Sequence, residues 1–314
     1  MLVNTAHLVD VDARSGSLSG HLWSHVYSGD AQQLDIQAKV SPTDIQPSAG
    51  DGNVFLDWQG LPGRGLGGLQ SQLQTDRGMP SYAIEHVRSG TRVSGVGIAS
   101  AGTKAFRGDW TGRIEPTGQS ALQQLPGVDQ LQGEVVNPLP FDLYDSILFY
   151  HNWYYVLNSR IAPGERLAVS ADTIPKTRSR RLNRQRTVDG NVNSTRWDPS
   201  DRAQLDRLLE LMMFYKAASG KNYTSLEHRY QPHLDQSNLL DTDLAILVGR
   251  VDVPPVEVVV KKHVPADHDA NATESKLGGA TVGATVGEVV AQSGGSADRA
   301  WYRITIPVAR PSGK

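Results

Sequence analysis

The chain has 314 residues, a length that suits about two domains. Its formal net charge is −2, so no field of the whole protein would draw it to nucleic acid or to an acidic membrane. It contains no cysteine, which excludes disulfide bonds, thiolate catalysis and cysteine-ligated zinc or iron–sulfur centres.

No apolar run in the sequence approaches the ~20 residues that a membrane-spanning helix needs. The N-terminal stretch MLVNTAHLVDVDARSG has neither the basic region nor the continuous apolar region of a signal peptide. The pattern predicts a soluble chain. Because the first strand signal begins almost at Met1, the sequence favours a soluble piece of a longer protein.

The first part of the chain, from Leu2 to about Thr117, has the pattern of β-strands. Strand signals separated by turn residues recur about every ten residues, which is typical of a sandwich or barrel. In QQLDIQAKV, for example, Leu34 and Ile36 alternate with polar neighbours and share one face. We predict a first β-sandwich domain over residues 1–122.

A second β region begins with LQGEVVNPLPFDLYDSILFYHNWYYVL, residues 131–157. Asn137-Pro138 makes a corner, and two aromatic strands follow. We interpret Trp153, Tyr154 and Tyr155 as rings that seal a sheet, because large apolar side chains are stabilising when buried. We predict a second β-sandwich domain over residues 123–314, with a basic loop and helix inserted at about 173–237 and a glycine-rich loop at about 261–296.

The strongest helix pattern runs from Asp198 to Ser219. Asp198 is a good N-cap, Pro199 suits the first helical position, and Gly220 suits a C-terminal cap. Apolar residues at helical spacing form a stripe: Leu205, Leu208, Leu209, Met212 and Met213. The stripe favours packing on the sheet of the second domain, and the alternative is a partner-docking helix.

The stretch GRGLGG at Gly63 to Gly68 fits the glycine pattern of a dinucleotide-binding loop. Pro62 precedes it, no strong helix follows it, and no alternation of strands and helices surrounds it. A glycine-rich turn after a strand is therefore the better interpretation, and we predict no cofactor.

The nine histidines raise the question of a metal site. His263 lies near Asp267, His268 and Asp269, and two other pairs are His21 with His25 and His228 with His233. Imidazoles and carboxylates ligate divalent metals, but no H-E-x-x-H motif occurs and the spacings fit no ordered element. A solvated loop and surface histidines are favoured, so we predict no metal. For the loop at 263–269, metal binding stays an alternative to this interpretation.

Carboxylates lie beside tryptophans at Asp57-Trp58 and Asp109-Trp110. A glycosidase needs two carboxylates that flank a sugar, and tryptophan rings can form a carbohydrate platform. Tryptophans in strands are more often core residues. These four residues are candidate carbohydrate contacts, and with no G-x-S-x-G elbow in the chain we predict no catalytic residue.

A basic run is the strongest local charge feature, and it suits an anionic lipid or an acidic protein surface better than nucleic acid. The alternative is an exposed loop balanced by acidic neighbours. Its candidate contact residues are Lys176, Arg178, Arg180, Arg181, Arg184 and Arg186.

About forty residues of the second β region resemble immunoglobulin-like β-sandwich domains of extracytoplasmic bacterial envelope proteins. The resemblance rests on an Asn-containing corner, an aromatic strand and a P-G-E turn. The matching positions are Gly133, Val135, Asn137, Leu143, Asp145, Ile161, Pro163, Gly164 and Glu165. The resemblance implies a non-catalytic binding or scaffolding role outside the cytoplasm.

The sequence thus predicts a mostly β protein with two immunoglobulin-like sandwich domains and one helical insertion in the second. The predicted function is interaction or scaffolding by the soluble, periplasmic or extracellular part of a membrane-attached bacterial protein. Its expected partner is a protein or a membrane surface, with no nucleic acid. The alternative is a carbohydrate-binding module or a glycoside hydrolase that uses the tryptophan-flanked carboxylates.

Overall fold

The structure, a computed structural model, describes most of the chain. The described residues are 1–41, 44–47, 54–59, 83–87, 90–170, 173–188, 191–194, 197–198, 207–226, 234–264, 289–292 and 299–311. The glycine motif at Gly63 to Gly68 and most of the predicted loop at about 261–296 lie outside them.

Strands dominate the first part of the chain. They are β1 (Leu2–Asp12), β2 (Ser17–Ser28), β3 (Gln32–Val40), β4 (Gln46–Pro47), β5 (Phe55–Trp58), β6 (Ala83–Val87), β7 (Gly90–Ile98), β8 (Gly102–Arg113) and β9 (Ala121–Gln124).

The second part contains twelve further strands, three short α-helices and a 3-10 helix among its described residues. They are β10 (Leu131–Val136), β11 (Leu143–Tyr150), β12 (Trp153–Val156), β13 (Arg160–Ile161), β14 (Arg166–Val169), β15 (Lys176–Thr177), α1 (Arg178–Leu182), β16 (Gln185–Val188), β17 (Asn191–Ser194), α2 (Leu208–Met213), α3 (Gly220–Thr224), the 3-10 helix Ser237–Asp241, β18 (Leu244–Val251), β19 (Val256–Lys262), β20 (Val289–Gln292) and β21 (Arg299–Ala309).

Two large sheets form the fold. The first has fourteen strands, with the main order β15-β12-β11-β18-β21-β1-β2-β8-β4, and the second has five in the order β20-β19-β3-β7-β6. β16 and β17 form a separate hairpin. Among the described residues, far more lie in strands than in helices, so the predicted mostly β fold class is confirmed.

Both large sheets contain strands from both predicted domains. β1 pairs in parallel with β21, so that Ala6 lies opposite Arg299, and β3 pairs antiparallel with β19, so that Val40 lies opposite Val256. The strand pairing therefore crosses the boundary predicted between residues 122 and 123. Pairing between the two ends of a chain leaves no local pattern in the sequence, whereas strand alternation does.

One face of the fourteen-stranded sheet, called here the large sheet, packs on the five-stranded sheet, and we call it the inner face. Alternation along β2 supplies Leu18, Leu22 and Val26 to this core, as expected for a strand with one buried face. The opposite side chains of the same strand, such as His21 and Trp23, lie on the outer face.

The helical insertion covers part of the outer face. Fully buried side chains of the insertion, including Leu211, Met213 and Phe214, pack with Phe149 and Ile246 of the sheet. Burial of this apolar surface supports the predicted packing of the insertion on the sheet rather than a docking role.

The predicted helix from Asp198 to Ser219 is wrong in its C-terminal part. α2 ends at Met213, because Phe214 has φ −134° and ψ 45°, and Ser219 has a left-handed φ of 69°. Gly220 begins α3 instead of capping the predicted helix. Asp198 has no helical structure, and residues 199–206 lie outside the described part of the chain.

The buried positions of α2 also differ from the predicted stripe. Leu208, Leu209 and Met212 are only partly buried, whereas Glu210 and Leu211 are buried. A helix of six residues makes fewer than two turns, so contacts at its ends decide which side chains are buried.

Within the described residues, no helix is long and apolar enough to cross a membrane.

Candidate functional site

A cavity of about 580 Å³ lies on the outer face of the fourteen-stranded sheet, at the edge of the helical insertion. We call it the outer-face cavity. Its lining comes from β1, β2, β5, β8 and the segment before the 3-10 helix: Asp10, Ser19, His21, Phe55, Arg107, Asp109, Trp110, Thr111 and Gln236.

Strand alternation places the polar groups in this cavity. Along β8, Phe106 and Trp110 are buried in the core, whereas Arg107 and Asp109 are only partly buried. Residues directly opposite each other on antiparallel strands share a face. His21 of β2 and Phe55 of β5 both lie opposite Asp109, so a ring flanks the carboxylate on each side.

Asp109 is the centre of a charged cluster. Nδ1 of His21 donates to Oδ1 of Asp109 at 2.6 Å, and Nη2 of Arg107 donates to the same carboxylate at 3.1 Å. Trp23 lies opposite Arg107, and its ring centroid is 6.2 Å from that of His21. His21 and Arg107 were not predicted from the sequence as partners of Asp109. The alternation along β2 does predict that His21 and Trp23 share one face of the strand.

The pKa of Asp109 lies below its ordinary value of 3.8. Burial by itself would raise the pKa of this carboxyl, but the hydrogen bonds and positive charges of His21 and Arg107 outweigh burial and lower it. The carboxylate therefore stays ionised at more acidic pH than an ordinary aspartate.

The lowered pKa of Asp109 predicts an acid-dependent stability. In the unfolded chain the carboxyl titrates near about pH 4, so the stabilisation is fully present above that pH. It is lost as the pH falls through the lower pKa of the folded state. We expect the difference in unfolding free energy between the wild type and Asp109→Asn to shrink below about pH 4, measured by urea unfolding at a series of pH values. A difference that does not change across this range would contradict the prediction.

The two tryptophans of the predicted carbohydrate site lie apart from its carboxylates. Trp110 borders the cavity but is only 2% exposed. Its indole packs on the bare backbone of Gly20, where a Cβ would lie 2.0 Å from Cε2. Trp58 lies opposite Phe106 and packs on the core, with Nζ of Lys104 5.1 Å from its ring centroid.

The carboxylates of that predicted site share the outer face. Asp57 is exposed and lies opposite Arg107, two residues along β8 from Asp109 and therefore on the same face. The structure thus brings Asp57 and Asp109 to one surface and turns both tryptophan side chains toward the other face. The aromatic side chain exposed beside Asp109 is Phe55, which is 55% exposed.

Asp10 is the second carboxylate that lines the cavity itself. Both of its oxygens accept hydrogen bonds from Arg303, at 2.6 Å from Nε and 2.9 Å from Nη2. Arg303 is fully buried, and its Nη1 donates to the main-chain oxygens of Met213 and Leu234. Asp10 is therefore held in a bidentate ion pair that ties the sheet to the insertion.

The predicted basic run does not form one continuous charged patch. Nη1 of Arg178 donates to the main-chain oxygen of His151 at 3.0 Å. Arg181 makes two hydrogen bonds to the buried carboxylate of Glu210. Lys176 and Arg180 are exposed, Arg184 is partly buried with φ 50°, and the side chain of Arg186 lies outside the described part. The run therefore includes both internal anchors and exposed cations.

The histidine candidates form pairs rather than larger clusters where they are described. Nδ1 of His263 lies 2.6 Å from Oδ1 of Asp35, which also accepts a hydrogen bond from the main-chain nitrogen of Gly95. Among the described residues, no group of three or more histidines and acids could hold a metal ion. The rest of the predicted loop, Asp267 to Asp269, and the pair His228 and His233 lie outside the described residues.

The corner at Asn137 has a structural role. Nδ2 of Asn137 donates to the main-chain oxygens of Phe141 at 2.9 Å and Ile161 at 3.0 Å, and its main-chain oxygen accepts from Gly164. The buried hydroxyl of Tyr155 accepts a hydrogen bond from the main-chain nitrogen of Leu131. These aromatic and amide groups hold strands together, as the sequence predicted for the rings.

Comparisons with known proteins give distant structural likenesses. No family model matches the chain, and no curated protein matches it. A full-length structure of the major pilin RrgB from Streptococcus pneumoniae aligns at 7% identity and a TM-score of 0.23, over 56% of this chain and 35% of the pilin chain. The yeast delta-COP-I mu-homology domain, complexed with a Dsl1 WxWxV peptide, aligns at 10% identity and a TM-score of 0.31, over 98% of this chain and 97% of that chain. The aligned part of the chain thus spans about a third of the full-length pilin.

Proposed function

We propose that this chain is a non-catalytic binding module, the soluble extracytoplasmic part of a membrane-attached bacterial protein. The observation that supports this proposal most directly is the outer-face cavity. It presents rings and hydrogen-bonding groups on a rigid sheet, while its charged groups are held in fixed pairs. Such a surface suits recognition, which needs preorganised groups.

The two carboxylates of the cavity do not suit glycoside hydrolysis. A glycosidase needs one carboxylic acid whose pKa is raised so that it can donate a proton. The pKa of Asp109 is lowered instead, and Asp10 is held by both of its oxygens in the ion pair with Arg303. Neither group is arranged as a general acid.

A partner protein fits the mixture of groups at this cavity. Interfaces are commonly centred on a pocket that accepts one anchoring side chain, with a rim of aromatic and charged residues. Phe55 and His21 supply ring surface here, and Arg107 and Asp109 supply charges of both signs. The scaffold role and the placement outside the cytoplasm rest on the resemblance of the Asn137 corner to envelope domains.

A carbohydrate is the second candidate ligand, favoured by the position of Phe55. An exposed ring beside a carboxylate and a guanidinium offers both an apolar platform and hydrogen bonds for sugar hydroxyls. This candidate uses Asp57 and Asp109 of the predicted set, with Phe55 in place of the two tryptophans.

The proposal predicts binding that depends on Phe55. A photoreactive phenylalanine analogue at position 55 should cross-link to one discrete envelope protein, and the purified partner should bind the chain. Phe55→Ala should weaken that binding about tenfold or more, since aromatic anchors dominate interface energies. Val128→Ala is the matched control, because Val128 is also an exposed apolar residue, 46% exposed, and lies away from the cavity.

A glycan array and a panel of chromogenic glycosides separate the alternatives. Glycan binding that is lost in Phe55→Ala, without a protein cross-link, would assign the carbohydrate ligand. Hydrolysis of a glycoside that is abolished by Asp109→Asn would overturn the non-catalytic proposal. Equal binding of every ligand by the wild type and Phe55→Ala would remove the outer-face cavity as the site.

A further inference from the structure

A second cavity, of about 530 Å³, lies between the large sheet and the helical insertion. We call it the arginine pocket, because three of its lining residues are Arg181, Arg207 and Arg250. It shares no lining residue with the outer-face cavity. Its volume is in the range of small-molecule sites, which are commonly about 300–1,000 Å³.

An irregularity in β11 helps to form this pocket. The pairing of β11 with β18 shifts register between Tyr144 and Ile147, and Asp145 has a left-handed φ of 52°. Such bulges bend a strand and redirect its side chains. The same segment and the following stretch from Val156 to Ser159 line one side of the pocket.

The outer face of the large sheet supplies another wall. Arg250 of β18 lies directly opposite Trp301 of β21, so the two side chains are cross-strand neighbours on one face. Trp301 is partly buried against the core of the insertion. The pocket therefore combines a guanidinium with an adjacent indole, beside the apolar side chains of Ile147 and Val156.

One of the three arginines is already neutralised. Nε and Nη2 of Arg181 donate to the two carboxylate oxygens of Glu210 at 2.6 and 2.9 Å. Burial disfavours the charged form of Arg181, but the charge and hydrogen bonds of Glu210 outweigh burial and raise its pKa. This bidentate pair fixes the insertion on that side of the pocket.

The other two arginines keep unused donors. Nη2 of Arg207 donates to the main-chain oxygens of Arg181 and Leu182 at the end of α1. Neither acceptor is a carboxylate, so these hydrogen bonds do not neutralise the charge of Arg207. Its Nη1 is buried and has no hydrogen-bond partner in the described structure. Nε of Arg250 is likewise buried without a partner there.

The carboxylates near Arg250 do not satisfy it by hydrogen bonding. Asp145 and Asp252 lie 3.6 and 3.8 Å from its Nη2, beyond ordinary hydrogen-bond distances. Both are more than half exposed, so water screens their charges. The side chain of Arg250 is itself 43% exposed, so its guanidinium can donate to an oxyanion in the pocket.

We propose that the arginine pocket binds a small organic anion that carries a carboxylate or phosphate group. The anionic group accepts hydrogen bonds from Arg207 and Arg250, because guanidinium groups match the geometry of these oxyanions. The apolar part of the ligand packs beside Trp301. The pocket thereby supplies both charge recognition and an apolar contact, independently of the outer-face cavity.

Titration of the full chain with benzoate and with phenyl phosphate tests this proposal. Binding is measured by calorimetry and by the chemical shift of the Trp301 indole N–H, assigned with Trp301→Phe. Neutral benzamide should not bind, and inorganic phosphate should bind more weakly than phenyl phosphate. Arg250→Gln should weaken anion binding about tenfold or more, through loss of a charge-assisted hydrogen bond, and Arg250→Lys should weaken it less.

Arg166→Gln is the matched control, because Arg166 is also partly exposed and paired with an acid, Glu134, and lies outside the pocket. It should bind as the wild type does. Binding of only one probe supports the proposal and assigns carboxylate or phosphate as the ligand group. The proposal is overturned if neither probe binds the wild type, or if Arg250→Gln, folded by circular dichroism, binds with unchanged affinity.

Discussion

Replacing Arg303 with Met is expected to lower the free energy of unfolding by about 3–5 kcal/mol. The guanidinium is fully buried and makes hydrogen bonds to both oxygens of Asp10 and to two main-chain oxygens, those of Met213 and Leu234. Met fills much of the same volume but offers no donor. The substitution therefore leaves a carboxylate and two carbonyl groups without their partner, which is unfavourable in a low-dielectric interior.

Urea unfolding of the Arg303→Met variant at neutral pH measures this effect. Arg310→Met is the matched control in the same terminal segment, because Arg310 pairs with Asp243 at 2.8 Å but is exposed, and exposed pairs contribute little. The double variant Arg303→Met with Asp10→Leu should recover part of the loss, since it removes the stranded carboxylate. An unfolding free energy unchanged by Arg303→Met would show that this ion pair does not hold the sheet and the insertion together.

The fold class was predictable from the sequence because strand alternation is a local property. Leu34 and Ile36 alternate with polar residues in β3, and both are fully buried in the structure. The partner of each strand was not predictable in the same way. β1 and β21 lie at opposite ends of the chain, and no residue in either strand encodes the identity of its neighbour.

The candidate site shows the same limit. Asp109 was identified from its position beside a tryptophan, but its partner His21 is 88 residues away and Trp110 points into the core. Alternation alone places neighbouring residues of one strand on opposite faces. A carboxylate and a tryptophan that are adjacent in a strand therefore lie on opposite faces. In β5 the same rule places Phe55 on the face of Asp57 and Asp109, and Trp58 on the other face.

The basic run was interpreted from charge density along the sequence. Glu210, which neutralises Arg181, lies 29 residues away, in a position where helical periodicity alone gave no reason to expect a buried acid. Buried charges need paired partners, so a cation in a charged run can be an internal anchor. Arg207 and Arg250 were not singled out because each is isolated in the sequence, and only the fold brings them to one pocket.

Replacing Phe214 with Ala should lower the free energy of unfolding by about 3–5 kcal/mol. Phe214 follows α2, is fully buried, and lies with its ring centroid 5.0 Å from that of Phe149 in the sheet. The substitution removes buried apolar surface and leaves a cavity between the insertion and the sheet, and these two effects add.

Leu208→Ala is the matched control for Phe214→Ala, because Leu208 begins the helix that Phe214 follows but is only partly buried. It should have the smaller effect, since a partly exposed side chain loses less contact with the core. Thermal and urea unfolding of both variants distinguish the two roles considered for the insertion. If Phe214→Ala leaves stability unchanged and weakens association with a partner instead, the insertion is a docking surface. The depth of Phe214 beside Phe149 argues for the first outcome, because a side chain that already packs on its own sheet has no apolar surface left for a partner.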